Sequence, residues 1–321
     1  MLHGWIILDK PLGLGSTQAV GAVKRALREA GEPKTKVGHG GTLDPLATGV
    51  LPIAIGEATK LAGRMLDATK AYDFTIRFGV QTDTLDAEGV EVASSNVRPT
   101  LTQVEATLRC FTGPIEQVPP AYSALKIDGK PAYARARAGE QIEMKLRTVT
   151  IHSLSLRHPE LVSGSIPPPE ASPQLEEWML EEVQHDGLDE ITLSATVSKG
   201  TYIRSLARDI AHALGTVGHV TMLRRSKAGP FTLDQAISLD FLHEAAKARQ
   251  LTRTVMPLEA ALDDIPALPV TPDQARLLRQ GQRLAGFPET PGLQLATDDD
   301  RPVALVEASA DGLRVVRGFN I

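Results

Sequence analysis

The sequence has almost no cysteine, because Cys110 is the only one among 321 residues. A single thiol excludes an intrachain disulfide and a zinc site built from several cysteines. The 8 histidines do not show a metal-ligand spacing such as HExxH. We therefore predict chemistry that uses neither a metal nor another cofactor.

Long apolar runs are also missing, since no stretch of about 18 residues could span a bilayer. The opening MLHGWIILDKP lacks the basic region and the long apolar stretch of a signal peptide. We expect a cytoplasmic protein with no membrane contact. The sequence contains neither GxGxxG nor a Gly-Lys-Ser/Thr signature, which argues against the common nucleotide-binding loops.

The net charge of −5 is unusual for a protein that binds nucleic acid, but the charge is unevenly distributed. Between residues 158 and 190 there are 9 acidic residues and no Lys or Arg, and residues 257–321 hold 10 acidic and 6 basic residues. The remaining chain has 28 basic and 20 acidic residues. That excess of positive charge favours a surface that binds a polyanion.

Hydrophobic periodicity indicates a mixed fold. Tyr72, Phe74, Ile76 and Phe78 alternate with polar residues, as in a half-buried strand. Residues 16–30 have the spacing of a helix, with Ser16 as its predicted N-cap, and residues 239–262 are also predicted to be helical. Because no regular βαβ period occurs, we predict an α+β fold with a mixed, largely antiparallel sheet flanked by helices.

Composition predicts two domains. Residues 1–262 would form the larger, catalytic domain, and 266–321 a small β-rich domain that begins after Pro266 and Pro269. The segment of about 158–187 is acidic and proline-rich, and we interpret it as an insertion with one amphipathic helix.

The richest motif is GHGGTLDPLATGVLPIAIGEATK, from Gly38 to Lys60. Its glycines permit positive φ angles and close approach of a ligand, and Asp44-Pro45 forms a stiff corner. From these residues alone, Asp44 could equally be the cap of a glycine-rich turn or a fixed catalytic carboxylate.

This motif resembles the signature of the TruB family of pseudouridine synthases, GHxGTLDPxAxGxLxxxxGxATK, at every fixed position. Four further blocks are similar and occur in the same order: DKPLGLGS, KAYDFTIRFGVQTDTLDAEG, QVPPAYSALKIDGKPAYARARAG and SKGTYIRSLARDIAHALG. The resemblance extends over residues 4–231. It implies the pseudouridine synthase fold, with a small PUA-like domain at residues 266–321.

The resemblance also implies an activity, the conversion of uridine 55 in the T arm of tRNA to pseudouridine. Asp44 matches the catalytic aspartate, which could attack C1′ or C6 of the uridine. The target base must leave its stack, and His39 would occupy the space that it vacates. Tyr72 would stack on the flipped base and take a proton, and Arg204 would pair with the catalytic aspartate.

Further RNA contacts are predicted from the basic blocks. Tyr202, in the SKGTYIRSLARDIAHALG block, is predicted to bind RNA. Lys10, Lys126, Lys130, Arg135 and Arg137 could hold phosphates, and Lys126 matches best. For each of these cations an ordinary surface role is an open alternative. We expect a monomer that binds tRNA and requires no protein partner. Two other functions are considered, a non-catalytic RNA-binding protein and a synthase acting on another RNA or within a guide-RNA complex.

Overall fold

The computed structural model describes residues 1–123, 125–127, 129–140, 142–157, 187–286 and 291–321. All but the last residue of the predicted acidic insertion, with its predicted helix, lies outside these described residues. The chain forms two compact units. We call Met1–Ala68 with Lys227–Ile321 the terminal unit, and Thr69–Ser226 the middle unit.

The described helices and strands alternate irregularly along the chain. The helices are α1 Ser16–Glu29, α2 Ala62–Asp67, α3 Leu101–Leu108, α4 Ala132–Arg137, α5 Ile203–Ala213, α6 Leu239–Lys247 and α7 Pro272–Arg279. The strands are β1 Gly4–Lys10, β2 Val37–His39, β3 Ala47–Ile55, β4 Lys70–Phe78, β5 Val80–Thr82, β6 Glu91–Ser94, β7 Gly113–Gln117, β8 Lys126–Ile127, β9 Lys130–Pro131, β10 Arg147–Leu156, β11 Glu190–Val197, β12 Gly218–Ala228, β13 Phe231–Thr232, β14 Ala267–Pro269, β15 Gly292–Asp298, β16 Arg301–Ser309 and β17 Gly312–Gly318.

The terminal unit is built around β3, which pairs antiparallel with both β1 and β2. Its core joins residues from the two ends of the chain. Trp5 exchanges two backbone hydrogen bonds with Met256, of 2.9 and 2.8 Å, and its indole N–H donates to the Leu258 carbonyl at 3.1 Å. One buried cluster contains Trp5 together with Leu305 and Phe319. Burial of these large apolar side chains stabilises the unit.

The C-terminal part of the terminal unit contains a four-stranded sheet, in the order β14-β15-β16-β17. Only β14 and β15 run parallel. Helix α7 buries Ala275 and Leu278 in a cluster with Val303 and Val306 of β16. This β-rich segment agrees with the predicted character of residues 266–321, whereas the division of the chain at 262 and 266 stays a prediction.

The middle unit contains the sheet segment β12-β4-β11-β10-β7, whose strand pairs from β4 to β7 are antiparallel. The alternation predicted for β4 is present, with Phe74, Ile76 and Phe78 buried. These rings and Ile76 pack in one cluster with Leu206 and Ile210 of α5. The arrangement is the α+β type that the sequence predicts.

Several local predictions were wrong in extent. The predicted 239–262 helix ends at Lys247, because Arg249 has a φ of 56° in the left-handed region. Two short 3-10 turns follow it. The N-cap of α1 is Gly15 and not the predicted Ser16. No described helix has the length and apolar character needed to cross a membrane.

Candidate active site

Asp44 lies on the loop of residues 40–46, between β2 and β3 of the terminal unit, with its side chain partly exposed. The hydroxyl of Ser16 donates to the Leu43 carbonyl at 2.9 Å and accepts from the Leu43 N–H at 2.8 Å. The Ala47 N–H donates to the Asp44 carbonyl at 3.0 Å. The backbone on both sides of the carboxylate is therefore fixed by hydrogen bonds.

Lys10 is hydrogen-bonded to the same loop, through the Pro45 carbonyl, and is 0% exposed. Its ammonium donates to the carbonyls of Pro11, Leu14 and Pro45, at 3.0, 2.6 and 3.2 Å. The Gly13 N–H adds a second bond to the Pro45 carbonyl, at 2.9 Å. A buried ammonium requires such acceptors, because it has left the water that would otherwise solvate it. This geometry favours a structural role for Lys10 over the predicted phosphate contact.

Gly40 explains why the loop can lie against the core. A Cβ at this position would lie 2.7 Å from Cβ of Met65, which is closer than real side chains approach. The Gly40 N–H donates to the Pro52 carbonyl of β3 at 2.8 Å. Glycine thus permits a close backbone approach that fixes the start of the loop.

His39 is the last residue of β2, opposite Ile53 of β3, and is partly buried. It stands five residues before Asp44, so a strand end and a braced loop position the two side chains. The terminal unit thereby contains three of the predicted site residues, namely Lys10, His39 and Asp44.

Arg204 lies in the first turn of α5 in the middle unit and is 6% exposed. One guanidinium nitrogen donates to the Thr84 carbonyl at 2.8 Å and to the Asp86 carboxylate at 3.0 Å. The second terminal nitrogen, Nη2, donates to the Tyr122 carbonyl at 2.9 Å. A buried arginine with three acceptors from two loops has a fixed orientation.

Asp86 is a functional candidate that sequence reasoning missed. It is 7% exposed, and its carboxylate also accepts from the Thr84 hydroxyl at 2.6 Å and the Glu88 N–H at 3.1 Å. Leu85, just before it, has a φ of 63°. This strained turn aims both the Thr84 carbonyl and the Asp86 carboxylate at Arg204. Its signal was available, since Asp86 lies in the TDTLDAEG part of a block that carried the resemblance.

Tyr202 is the N-cap of α5 and is held by Gln117, which is 0% exposed. The Gln117 carboxamide donates to the Tyr202 carbonyl at 3.1 Å and accepts from the Tyr202 N–H at 2.8 Å. In the first turn of the helix, the Ser205 hydroxyl donates to the Val118 carbonyl at 2.8 Å. The end of β7 is thus attached to the start of the helix that carries Arg204. Sequence reasoning did not identify Gln117 either.

Tyr72 lies on β4 opposite Ala195 and is partly buried against the middle-unit core. It shares a strand face with Phe74, yet only Phe74 is fully covered. A ring at the margin of the core can present one face to a ligand, and the stacking of Tyr72 on the uracil stays a prediction.

The loop that precedes β8 contains Tyr122, which supplies both the carbonyl that accepts from Arg204 and a phenol side chain. Burial, followed by a hydrogen bond to Asp83 and the charge of that carboxylate, raises the pKa of Tyr122. The phenol is therefore protonated at neutral pH and can act as a donor. Lys126 begins β8, where its backbone pairs with Pro131.

The middle unit thus contains the other four predicted site residues, Tyr72, Lys126, Tyr202 and Arg204. Within the described ranges, no group of three His, Cys, Asp or Glu side chains is arranged to hold a metal ion.

Comparison with known families identifies the chain. The N-terminal domain of the TruB family pseudouridylate synthases matches residues 25–203, more than half of the sequence. The chain belongs to the TruB family. It is a pseudouridine synthase, as the motifs predicted. The C-terminal domain described for tRNA pseudouridylate synthase B matches residues 204–263.

Similar proteins cover the full length. The chain is 58% identical over 321 residues to the tRNA pseudouridine synthase B of Novosphingobium aromaticivorans, covering 100% of this chain and 98% of that protein. It is 56% identical to that of Zymomonas mobilis, covering 99% and 96%.

Two solved structures share the fold. One is an H/ACA RNP bound to a substrate RNA containing 2'-deoxyuridine, with a TM-score of 0.68, 22% identity and coverage of 99% and 85%. The other is a Cbf5-Nop10-Gar1 complex, with a TM-score of 0.67, 24% identity and coverage of 98% and 84%. These likenesses confirm the predicted pseudouridine synthase fold.

Proposed function

We propose that this TruB-family enzyme converts uridine 55 in the T arm of tRNA to pseudouridine, with Asp44 as the catalytic carboxylate. The observation that carries the proposal is the braced Asp44 loop in a chain whose full-length relatives are named tRNA pseudouridine synthase B. The reaction breaks the N1–C1′ bond, turns the uracil and joins C5 to C1′. It balances without an oxidant, a reductant or a second substrate.

Asp44 suits this isomerisation because its carboxylate is held in one pose while its side chain stays partly exposed. A carboxylate can attack C1′ and release uracil, or attack C6 and form an adduct that can be turned. Both routes need a nucleophile that does not move away from the reacting carbon. The hydrogen bonds from Ser16 and Lys10 supply that constraint through the neighbouring backbone.

Base flipping accompanies this chemistry. Extruding a stacked base costs a few kcal/mol, which the enzyme offsets by filling the gap and by binding the exposed base. His39 is the residue proposed to fill the gap. Tyr72 is proposed to stack on the uracil and to remove the proton from C5, because its ring lies at the margin of the core.

Arg204 is proposed to act with Asp44 in the same reaction. A cation in the first turn of a helix opposes the helix dipole by about 0.3 to 1 kcal/mol. The Thr84 and Tyr122 carbonyls and the Asp86 carboxylate offset that cost. The three acceptors hold the guanidinium in one orientation, which the proposed role requires.

The proposed partner is tRNA alone, bound by a monomer. Lys126 and Tyr202 are proposed to contact the RNA, and Lys10 to hold the Asp44 loop. We retain the proposed division into a catalytic domain, 1–262, and a small domain, 266–321.

The test compares the wild type with Asp44→Asn and Asp44→Ala on unmodified tRNA and on a T-arm hairpin. Asp263→Asn is the matched control, because Asp263 is an exposed aspartate of the same unit. We expect pseudouridine at position 55 from the wild type and the control, and none from either Asp44 variant. A full yield from Asp44→Ala would refute the assignment.

Gel-shift measurements complete the test. Asp44→Ala should bind tRNA nearly as well as the wild type, because phosphate contacts dominate the affinity. Loss of binding by a folded variant would contradict this. A non-catalytic RNA-binding role predicts instead that the wild type makes no pseudouridine in any tRNA.

A further inference from the structure

The outer face of α1 presents three cations that have no part in the site described above. Lys24, Arg25 and Arg28 are all exposed, and we call them the α1 stripe. Lys24 and Arg28 lie one turn apart on the helix, with Arg25 beside them. None of the three forms an ion pair with another residue in the described part of the chain.

The opposite face of α1 holds the helix to its unit. It buries the apolar residues Ala19, Val20, Ala22, Val23, Ala26 and Leu27. The stripe is therefore the side of the helix that stays in water, and the backbone positions of its three cations keep a fixed spacing. Binding a regular array of anions needs no rearrangement of the helix, so the entropy cost is confined to ordering three side chains.

The charge of this region is opposite to that of the whole chain. Residues 16–36 contain five basic and two acidic residues, whereas the chain has a net charge of −5. Lys34 and Lys36, which follow the helix, are exposed as well. A local excess of positive charge attracts polyanions to this surface.

The helix also has a fixed position relative to the proposed catalytic loop. Ser16, its first residue, makes the two hydrogen bonds to Leu43 next to Asp44. At 1.5 Å per residue, Lys24 lies about 12 Å and Arg28 about 18 Å along the helix axis from Ser16. An RNA whose uridine reaches Asp44 must therefore extend beyond the reactive loop before its backbone can meet the stripe.

We propose that the α1 stripe binds the sugar-phosphate backbone of tRNA outside the loop that carries the target uridine. The inference rests on the proposed function and adds a second contact surface to it. Exposed Lys and Arg side chains read no sequence when they contact phosphates, so the stripe sets affinity and register and leaves the choice of base to the Asp44 loop.

The test uses the triple variant Lys24→Gln, Arg25→Gln and Arg28→Gln, because glutamine keeps the helix propensity and removes the charge. The matched control exchanges the cations, as Lys24→Arg, Arg25→Lys and Arg28→Lys. Affinity is measured for full-length tRNA and for a hairpin that carries the target loop on a short stem, over a series of salt concentrations.

Three phosphate contacts on a duplex contribute about 2.7 to the slope of log affinity against log salt, which is about 40-fold between 50 and 200 mM. The glutamine variant should lose this part of the salt dependence with full-length tRNA and bind at least about tenfold more weakly at low salt. The exchange control should match the wild type. With the short hairpin, all three proteins should bind alike, and the single-turnover rate at saturating tRNA should be unchanged.

Equal affinities and equal salt slopes of the glutamine variant and the wild type on full-length tRNA would overturn the inference. An equal loss on the short hairpin would also overturn it, because the stripe would then contact the reactive loop. If the proposed function itself were wrong, the wild type would form no pseudouridine, and this result distinguishes that failure from failure of the inference. Circular dichroism of the variants verifies that α1 is intact.

Discussion

Replacing Gln117 by leucine should lower both the free energy of unfolding and the reaction rate, because Gln117 holds the start of α5. The Gln117 side chain is fully buried and makes two hydrogen bonds to the backbone of Tyr202. Leucine has a similar size, so the main loss is polar. The Tyr202 N–H loses its Gln117 acceptor, whereas the Tyr202 carbonyl still accepts from the Leu206 N–H at 3.0 Å.

The magnitude follows from these bonds. A buried donor deprived of its acceptor costs about 1 to 3 kcal/mol, and the second bond contributes about 1 kcal/mol. The free energy of unfolding should therefore fall by about 2 to 4 kcal/mol. Because Tyr202 is the cap two residues before Arg204, a shift of the helix start also displaces the guanidinium. A misplacement of about 1 Å can lower a rate about 100-fold.

Two assays check the prediction, urea unfolding and single-turnover pseudouridine formation at saturating tRNA. Gln294→Leu is the matched control, because Gln294 is a buried glutamine of β15 and is 6% exposed. We expect both variants to lose stability and only Gln117→Leu to lose about 10- to 100-fold in rate. A Gln117→Leu enzyme with a normal rate, or a loss of stability below about 0.5 kcal/mol, would refute the reasoning.

Three further predictions concern charged residues. Lys10→Met should lower the free energy of unfolding in urea by about 2 to 4 kcal/mol, because three loop carbonyls lose a charged donor. Asp86→Asn should cost about 3 to 5 kcal/mol in the same assay and slow the reaction, because the buried Arg204–Asp86 ion pair is lost. Burial raises the pKa of Glu57, but hydrogen bonds from Lys60 and from the Asn320 N–H outweigh it and hold the pKa below 4.5. Glu57 should thus stabilise the fold fully above pH 4.5 and lose that contribution as the pH falls through the folded pKa, a dependence that thermal unfolding of Glu57→Gln should lack.

Local periodicity predicted the elements that depend on one buried face. The alternation of residues 72–78 identified β4, and the helical spacing of residues 16–30 identified α1 to within one residue. In both cases the pattern of apolar side chains is also the pattern of contacts with the core. The resemblance supplied what periodicity could not, which is the family and the candidate residue Asp44.

The missed contacts all join residues that lie far apart in the sequence. Ser16 was predicted to be a helix cap, but its hydroxyl is hydrogen-bonded to the backbone of Leu43, 27 residues later. The Arg204–Asp86 pair spans 118 residues and the Gln117–Tyr202 pair 85. Local periodicity and turn rules contain no signal for such pairings, because any nearby polar side chain would satisfy the same local rules. The bond from Lys10 to the Pro45 carbonyl was missed for the same reason, since the two residues are 35 positions apart.

The terminal unit consists of two separate segments of the chain, and this has a consequence for synthesis on the ribosome. β1 is synthesised before its partners, because Trp5 needs Met256 and Leu258 for its hydrogen bonds and shares a buried cluster with Phe319. At about 5 to 20 residues per second, about 15 to 60 s pass between the synthesis of β1 and that of Phe319. The middle unit is one continuous segment, Thr69–Ser226, and can fold during this interval. The middle unit can therefore fold before the terminal unit, and the apolar β1 stays accessible to chaperones in the meantime.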